Sequence, residues 1–525
     1  MRPLHLTLIS AGIIAILTGI IISPDFIAIH ISSDHVVSPE VNKGLQWIRF
    51  LSMLIGGLML TAGFLSSRYQ DHMRKLISHP VGTILLIIFC WTVLVFINLL
   101  LKLAGMGPGT PDFFPLSEVF GPRIRISGLP YSLLFLLTLF VSLRYKFFNL
   151  TSAWVFGTFL IIFGNLAQGG PEEAFYKPIT ASDYFHEGIY YYEQYYHEAI
   201  GITDWREWLG NFNANLLHLK IHARTHPPLA VLLHYFFIKL SNHNLPVMSG
   251  LFIGLSSASI AFVYQIMKLL DVPERQRFLV AILFSVIPAY NIFSAISLDG
   301  AIISFGALFL TGFIHILKRG LSLPGFMMFF AGLLLVNLHT YLGLFLLGTS
   351  GIVAMHMIIV HRKFGLFKAL VICLLLMLFV HLFLDYYYGY SHIKAFLTAS
   401  SFEDTTSILD NPVMYIMTRL ENGTMFAIFL SLAILALFFH PSILNNRIFD
   451  WRNDVNMVFV YGIAPLVPFL LMGGLYTGEI ARICLFMYLF FVLILTKLQE
   501  RWLRILLVTT GIQTAVMQTI AGYFW

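Results

Sequence analysis

The sequence Ala223-Arg224-Thr225-His226-Pro227-Pro228-Leu229 joins a long polar segment to an apolar one, and the rest of the chain is organised around it. Two consecutive prolines suit the first turn of a helix, so the sequence predicts an apolar helix that runs to about residue 240. Such a helix, at about fourteen residues, is short for crossing a membrane, which takes roughly 20. We therefore expect it to lie in, or re-enter, the outer interface of a membrane; a short tilted span is the alternative.

The composition is that of a polytopic membrane protein. Of the 525 residues, 58% are hydrophobic and 11% are charged, and the mean hydropathy of +0.81 lies well outside the range of a soluble domain. Backbone N–H and C=O groups in lipid must be satisfied within each segment, so we expect an all-α protein. About fifteen apolar runs could span, at residues 4–23, 47–67, 81–105, 129–143, 150–168, 246–270, 278–298, 300–317, 324–338, 341–361, 366–389, 423–440, 456–475, 483–497 and 505–522.

The charge pattern predicts how these spans are oriented. The net charge of +6 is spread over short loops, which suits membrane orientation and does not indicate nucleic-acid binding. With Arg2 inside, the basic loops all fall on the cytoplasmic side, at residues 68–75, 144–146, 274–277, 318–319, 361–363, 445–452 and 497–504. This parity requires that the helix after His226 does not cross the membrane.

Cysteine chemistry is not indicated. Cys90, Cys373 and Cys484 all lie within apolar runs, so they predict neither a disulfide framework nor a metal site.

The polar loop 168–225 carries acids and tyrosines on the predicted outer side. Asp183 and Glu187 are four residues apart, so they would share one face of a helix. Two carboxylates at a membrane surface can bind a cation, orient a hydroxyl or act as a general base. Tyrosines also favour the lipid headgroup region, so an interfacial aromatic belt is the alternative.

Asp299 is a sharper functional signal than the acids of the loop. It lies between two apolar runs with no neighbouring basic residue. An acid at the centre of a membrane helix costs roughly 2.5–3.5 kcal/mol on insertion scales, so such a residue indicates a function. The alternative is a structural one, the N-cap of the helix that begins at Gly300.

The order of these features resembles the GT-C glycosyltransferases, most closely the bacterial protein-mannosyltransferase and aminoarabinose-transferase type. In that family an acidic motif in the first outer loop is followed by a His-Pro-Pro or Lys-Pro-Pro element and, one helical hairpin later, by a second Asp. His226 with its two prolines matches the second element and Asp299 the last, while Asp183 and Glu187 can each be laid on the first. The segment Gly478-Glu479-Ile480-Ala481-Arg482 resembles an element that places a base near the donor phosphate.

The resemblance covers roughly residues 150–497 and implies an architecture. It implies a GT-C-like bundle of roughly 13–15 transmembrane helices with an outer loop that carries interfacial helices. The implied division has four regions: an N-terminal transmembrane extension (residues 1–149), a catalytic core (150–389), a second outer loop (390–422) and C-terminal transmembrane helices (423–525). The catalytic core contains the outer loop 168–225 and the interfacial helix 226–240.

The resemblance also implies a chemistry. The donor would be a polyprenyl-phosphate sugar with its tail among the helices and membrane lipids, and the sugar would pass with inversion to a lipid, polysaccharide or protein acceptor at the outer face of a bacterial inner membrane. Asp183 or Glu187 would take the acceptor's proton. Asp299 would orient the acceptor, His226 or a bound divalent cation, which some relatives use. The candidates for contact with the donor phosphate are Arg224, His226, Arg482 and His339.

Two other classes of protein fit the same composition. A transporter or lipid flippase would also have many spans with polar groups, but it often shows internal repeats and charges near the bilayer midplane. The sequence contains no convincing repeat, and its carboxylates cluster at one predicted face. An inactive scaffold or polymer-assembly subunit is a third hypothesis, and the presence of Asp183, Glu187 and Asp299 argues against it.

Overall fold

A computed structural model gives the architecture of the chain. The structure describes residues 124–180, 195–296, 298–401, 425–438, 452–467 and 480–520, together with parts of 9–89 and residues 182, 183, 192, 193, 422 and 423. Within these residues the protein is α-helical, with one short pair of strands, β1 (Ser182–Asp183) and β2 (Tyr192–Glu193). The prediction of an all-α protein is confirmed.

The helices differ widely in length, and those in the described parts of the segment between α2 and α8 are short. In chain order the helices are α1 (Leu129–Arg144), α2 (Leu150–Leu166), α3 (Lys177–Thr180), α4 (Tyr195–Ala199), α5 (Trp205–Gly210), α6 (Phe212–Asn215), α7 (Ile221–Arg224), α8 (Leu229–Ser241), α9 (Leu245–Leu269), α10 (Glu274–Ser285), α11 (Pro288–Phe293), α12 (Leu298–Arg319), α13 (Leu323–His339), α14 (Gly343–His361), α15 (Gly365–Tyr388), α16 (His392–Ser400), α17 (Leu432–Phe438), α18 (Asp454–Ile463), α19 (Ile480–Ile483), α20 (Leu485–Leu495) and α21 (Glu500–Ile520). Additional 3-10 and π turns lie at Ile126–Gly128, Leu216–His218 and Glu172–Tyr176.

Six helices of the described part are long and apolar enough to cross a membrane. They are α1 with its preceding turn, α9, α12, α14, α15 and α21. The outward side of α15 is apolar, with Leu375 62% and Phe379 66% exposed, as expected of a surface that faces lipid. The protein therefore has the character of an α-helical membrane protein. The number of roughly 13–15 spans, the GT-C arrangement and the division into regions stay predictions, and the predicted spans 4–23 and 81–105 fall largely outside the described residues.

The centre of the bundle is a broken helix. Residues 278–296 are all buried, but α10 ends at Ser285 and α11 begins at Pro288. The sequence predicted one continuous span over 278–298, and the structure differs because proline has no N–H to donate and forces the preceding Ile287 into an extended conformation.

Amide side chains satisfy the backbone that the break exposes. Asn291 donates from Nδ2 to the carbonyls of Ser285 (2.8 Å) and Leu160 (3.2 Å), and its Oδ1 accepts from Nε2 of Gln518 (2.9 Å). Asn165 of α2 in turn donates to the Asn291 carbonyl at 2.7 Å. Because buried polar groups need partners, this network joins α2, α11 and α21 around the break.

The helices α12 and α13 lie unusually close together. A Cβ atom added at Gly312 would lie 2.2 Å from the backbone nitrogen of Phe329, and one at Gly332 would lie 2.3 Å from that of Phe309. Glycine permits such an approach because it has no side chain to separate the two backbones. The close antiparallel pairing brings the end of α13 beside the start of α12.

Charged residues sort to the two ends of the bundle. At one end, here called the basic end, Glu500 pairs with Arg275 at 2.9 Å and with Arg504 at 2.7 Å, and Lys318 approaches Asp454 at 3.9 Å. Apart from Asp454, which lies two residues after the loop 445–452, these residues belong to the loops that the sequence placed together on one side.

The helix α8 begins and ends at the opposite end of the bundle. Its start packs against α4, and after its last turn Asn242 takes the left-handed conformation that allows the chain to reverse into α9. Early in α9, Ser249 donates to the carbonyl of Phe175, which lies in the turn after α2. That the helix after His226 does not cross the membrane stays a prediction.

Candidate active site

Asp299 and Arg482 meet at the end of the bundle opposite the basic end. Asp299 lies in the first turn of α12, where its charge also suits the positive end of the helix dipole, and Arg482 lies on α19. The Arg482 Nε and Asp299 Oδ2 atoms are 3.6 Å apart, and the two side chains are only 14% and 15% exposed. We call the end of the bundle that holds this ion pair the site end.

His226 is held between the short helix α7 and the start of α8. Pro227 and Pro228 follow it, and α8 begins at Leu229 as the sequence predicts. Three oxygen atoms surround its Nδ1: the Tyr195 hydroxyl at 3.0 Å, Thr225 Oγ1 at 3.1 Å and the His222 carbonyl at 3.3 Å. These contacts hold the imidazole ring at Nδ1.

The ring of Tyr195 is the centre of a group of histidines. Tyr195 lies on α4 and is 8% exposed. Its ring centroid is 5.5 Å from that of His226, 5.8 Å from that of His222, and 5.6 Å from that of His234, on which it stacks. His234 is buried, and its own Nδ1 is 2.9 Å from the Ala230 carbonyl. Three imidazoles from α7, α8 and the turn between them thus pack around one phenol.

His339, which the sequence analysis names as a candidate phosphate contact, lies at the site end. It is the last residue of α13 and is fully buried. Neither of its ring nitrogens has a hydrogen-bond partner among the described residues. The Leu298 carbonyl lies beside the ring without reaching hydrogen-bonding geometry, and His226 and His234 are close enough to interact with it electrostatically. His339 therefore belongs to the same site as His226 and Asp299. Its two buried ring nitrogens make no hydrogen bond to the described residues and are available to a ligand.

His222 is held in the neutral form near neutral pH. Burial, followed by the positive charge of Arg482, lowers the pKa of His222 from its usual 6.5 to about 3. Arg224 ends α7 with a partly buried side chain, two residues from both His222 and His226. The positive charge of the site thus comes from its arginines, and His222 contributes a neutral hydrogen-bonding group near neutral pH.

The first acidic element is described only in part. Asp183 lies on β1, where it pairs with Tyr192 of β2, and β2 contacts α7. The backbone of Asp183 is therefore one strand away from the helix that precedes His226. Glu187 lies outside the described residues. The choice between these two acids as a general base stays a prediction.

The described part of the chain contains no group of side chains that could bind a metal ion. Within those ranges no three His, Cys, Asp or Glu side chains are grouped so that they could hold a metal ion. Cys373 and Cys484 are buried as free thiols, while Cys90 lies outside the described residues. The divalent cation that the resemblance allows stays a prediction.

Sequence reasoning found part of the site and missed the rest. The structure brings together four predicted residues from separate segments, His226, Asp299, His339 and Arg482. It adds Tyr195, His222 and His234. One signal for His222 was present, since it stands four residues before His226, a spacing that brings side chains together on a helical turn.

Comparison of the chain with known protein families, with curated proteins and with solved structures gave no match. The GT-C resemblance stays a prediction that rests on the order of the elements quoted from the sequence.

Proposed function

We propose that the protein is an integral membrane glycosyltransferase that moves a sugar from a polyprenyl-phosphate donor to an acceptor hydroxyl or amine at the site end. One observation supports this most. An acid, an arginine and two histidines that the sequence places on four separate segments gather at one end of an apolar bundle. A lipid-linked phosphate needs polar and positively charged groups next to an apolar region that can hold its tail, and this end of the bundle combines the two.

The reaction consists of one displacement at the anomeric carbon. The acceptor oxygen or nitrogen forms a bond to that carbon as the carbon–oxygen bond to the phosphate breaks, so the configuration inverts. The electron pair of the broken bond stays on the polyprenyl phosphate, which leaves. Asp183 or Glu187 takes the acceptor's proton, which is the role of a general base.

Arg482 is suited to stabilise the leaving phosphate. A guanidinium has five N–H donors in a planar fork that matches phosphate oxygens. Asp299 approaches the Nε atom, which orients the fork. We therefore revise the task of Asp299: it acts as the group that positions Arg482, in place of one that orients the acceptor.

His339 supplies a second donor for the same anion. Its ring is fully buried, and its nitrogens have no partner among the described residues. A buried polar group without a partner costs about 1–3 kcal/mol, so a phosphate oxygen that accepts from one ring nitrogen would recover that free energy. Donors already fixed in place need no reorganisation as negative charge develops.

The proposal is tested with the purified full chain in proteoliposomes. Radiolabelled polyprenyl-phosphate mannose and polyprenyl-phosphate aminoarabinose serve as donors, with membrane lipid, envelope polysaccharide and peptide as acceptors. We expect transfer from at least one donor, lowered about 100-fold in Arg482→Gln and in His226→Ala.

Arg275→Gln is the matched control, since it removes an arginine of the basic end and should leave transfer unchanged. Absence of transfer with every donor, or full transfer by Arg482→Gln, would overturn the proposal. Movement of the donor lipid between leaflets without transfer of its sugar would support the flippase alternative.

A further inference from the structure

The short helix α16 has an exposed apolar face. Ile393 and Leu397 lie about one turn apart, so they share one side of the helix, and they are 72% and 61% exposed. On the opposite side Ala395 and Ala399 are buried. Exposed apolar side chains that are grouped on one face indicate a surface that contacts something other than water.

This helix follows the point where α15 leaves the hydrocarbon of the membrane. The 24 residues of α15, at roughly 1.5 Å each, give a length of about 36 Å, against about 30 Å for the hydrocarbon core. The last turn of α15 therefore reaches the headgroup layer, and it carries the exposed Tyr386 and Tyr387, which suit that depth. Gly389 then takes the left-handed conformation, and α16 begins at His392.

Contacts at the start of α16 fix which side of the helix faces outward. The Asn213 side chain, in α6, donates from Nδ2 to the Ser391 carbonyl at 2.9 Å and accepts from the Ser391 N–H at 2.8 Å. The next residue, His392, stacks its ring on that of His381 in α15, with 4.5 Å between the centroids. A helix held in this way cannot turn its apolar face inward without breaking these contacts.

The same helix lies beside the site end. Tyr341 follows His339 of α13 by two residues, and its ring is 5.4 Å from that of His392 and 5.4 Å from that of Phe396. The depth of α16 in the membrane is therefore tied to the depth of the end of α13.

We propose that the outward face of α16 lies on the lipid bilayer, with the helix in the headgroup layer next to the site end. At nine residues α16 is too short to cross a membrane, which takes roughly 20. Its apolar face continues the lipid-facing side of α15 along the chain, so the bilayer that surrounds α15 also covers α16. The proposal does not depend on sugar transfer.

The polar groups on the outward face suit this placement. Lys394 is exposed next to Ile393, so its ammonium group can stay among lipid phosphates while its aliphatic stem covers apolar surface. A cavity along the same face is lined by Ile393 and Leu397 together with hydroxyl-bearing residues, among them Thr398 and Ser401. Apolar and polar groups side by side match the boundary between acyl chains and headgroups.

The test measures the surroundings of α16 in the full chain, reconstituted in nanodiscs of phosphatidylcholine and phosphatidylglycerol. Cys90, Cys373 and Cys484 are replaced by alanine, and a nitroxide spin label is attached to Ile393→Cys or to Leu397→Cys. Collisions of the label with oxygen, which concentrates in lipid, and with a water-soluble nickel chelate distinguish lipid from water.

Two exposed positions of α15 and its preceding loop provide the references. Leu375→Cys lies midway along the outward side of α15 and reports the hydrocarbon, while Lys363→Cys lies in the loop before α15 and reports water. We expect the labels on α16 to collide with oxygen more often than the label at Lys363, and with the nickel chelate more often than the label at Leu375.

Three results would overturn the proposal. Labels on α16 that match Lys363→Cys would place its outward face in water. Labels that match Leu375→Cys would place the helix in the hydrocarbon, away from the headgroup layer. Labels that neither reagent reaches would show that another protein segment covers the face.

A charge on the apolar face tests whether lipid contact holds the helix. Leu397→Asp should raise the collisions of the Ile393→Cys label with the nickel chelate, because a carboxylate is costly to bury against acyl chains. Ser401→Asp is the matched control, since it adds the same charge at an exposed polar residue just after the helix and should leave the label unchanged. Equal collisions in the two variants would contradict the proposed contact.

Discussion

The guanidinium of Arg482 and the carboxylate of Asp299 form an ion pair between the first turn of α12 and the short helix α19, with 3.6 Å between Nε and Oδ2. Both side chains are largely shielded from water. Removing water from two charges costs free energy that their attraction offsets only while both are present. Two residues predicted for separate tasks, phosphate contact and acceptor orientation, are therefore energetically a unit.

This coupling predicts the outcome of a double-mutant cycle. Arg482→Gln and Asp299→Asn should each lower the free energy of unfolding by about 2 kcal/mol, because each removes one charge of a shielded ion pair. The double variant should lose little more than either single variant, so the coupling should exceed about 1 kcal/mol. Unfolding of the purified protein in detergent measures all four states.

The exposed pair Arg275 and Glu500 is the matched comparison. Its side chains are 46% and 31% exposed, and a pair so open to solvent should show a coupling below about 0.5 kcal/mol in Arg275→Gln and Glu500→Gln. Equal coupling in the two cycles would contradict the claim that shielding makes the site pair interdependent.

His339 should show opposite effects on stability and on activity. His339→Leu replaces a buried ring that lacks hydrogen-bond partners with an apolar side chain, so the free energy of unfolding should stay the same or rise by about 1 kcal/mol. Sugar transfer should fall about 100-fold, because a donor to the phosphate is lost. Thermal unfolding and the transfer assay give the two readouts.

His356→Leu is the matched control for that change. His356 of α14 lies toward the basic end, and its Nδ1 is 3.2 Å from the Tyr461 hydroxyl. Here the substitution removes a formed hydrogen bond, so stability should fall by about 1 kcal/mol and transfer should persist. If His339→Leu is destabilising and active, the ring serves packing and the phosphate role is wrong.

Local patterns allowed much of this site to be predicted. The helix after Pro228 begins where the two prolines predict it. Asp299 was identified because it is an acid between two apolar runs. His339 and Arg482 were predicted as phosphate contacts from their place on the same predicted face and from the resemblance. Each of these signals depends on neighbours in the sequence or on the order of segments.

The features that the sequence did not predict depend on contacts between distant segments of the chain. The pairing of Asp299 with Arg482 follows from the way α11, α12 and α19 pack, which no local pattern encodes. The break after Ser285 was also missed, since an uninterrupted apolar run hides the effect of a proline, and Asn291 satisfies the Ser285 carbonyl that the break exposes. Tyr195 looked like one more tyrosine of an aromatic belt until its ring was placed among three histidines.

The depressed pKa of His222 predicts how stability depends on pH. Its pKa in the folded protein is about 3 and in the unfolded chain about 6.5, so the unfolded chain binds more protons between those values. The contribution of this residue is therefore fully present above about pH 6.5 and is lost as the pH falls toward 3. His222→Gln should flatten the decline of the unfolding midpoint between pH 7 and pH 4.

The exposed His218 of the same loop provides the control. His218→Gln should leave the slope of the unfolding midpoint against pH unchanged. Arg482→Gln should flatten the slope less than His222→Gln does, because burial is the larger cause of the shift. Equal slopes in the wild-type protein and in His222→Gln would show that His222 is not held neutral by its surroundings.

The close approach of α12 and α13 predicts that a single methyl group at Gly332 disturbs the site. A Cβ there would lie 2.3 Å from the Phe309 nitrogen, so Gly332→Ala must push the helices apart and should lower the free energy of unfolding by about 2 kcal/mol. The displacement would move His339, seven residues along α13, away from Leu298 and reduce sugar transfer.

Gly351→Ala is the control, because a Cβ atom there meets nothing within 4 Å. This substitution should instead stabilise α14 by about 0.5–1 kcal/mol, since alanine is the better helix former. Unfolding and transfer assays on both variants test whether helix spacing sets the site, and equal behaviour of the two would contradict it.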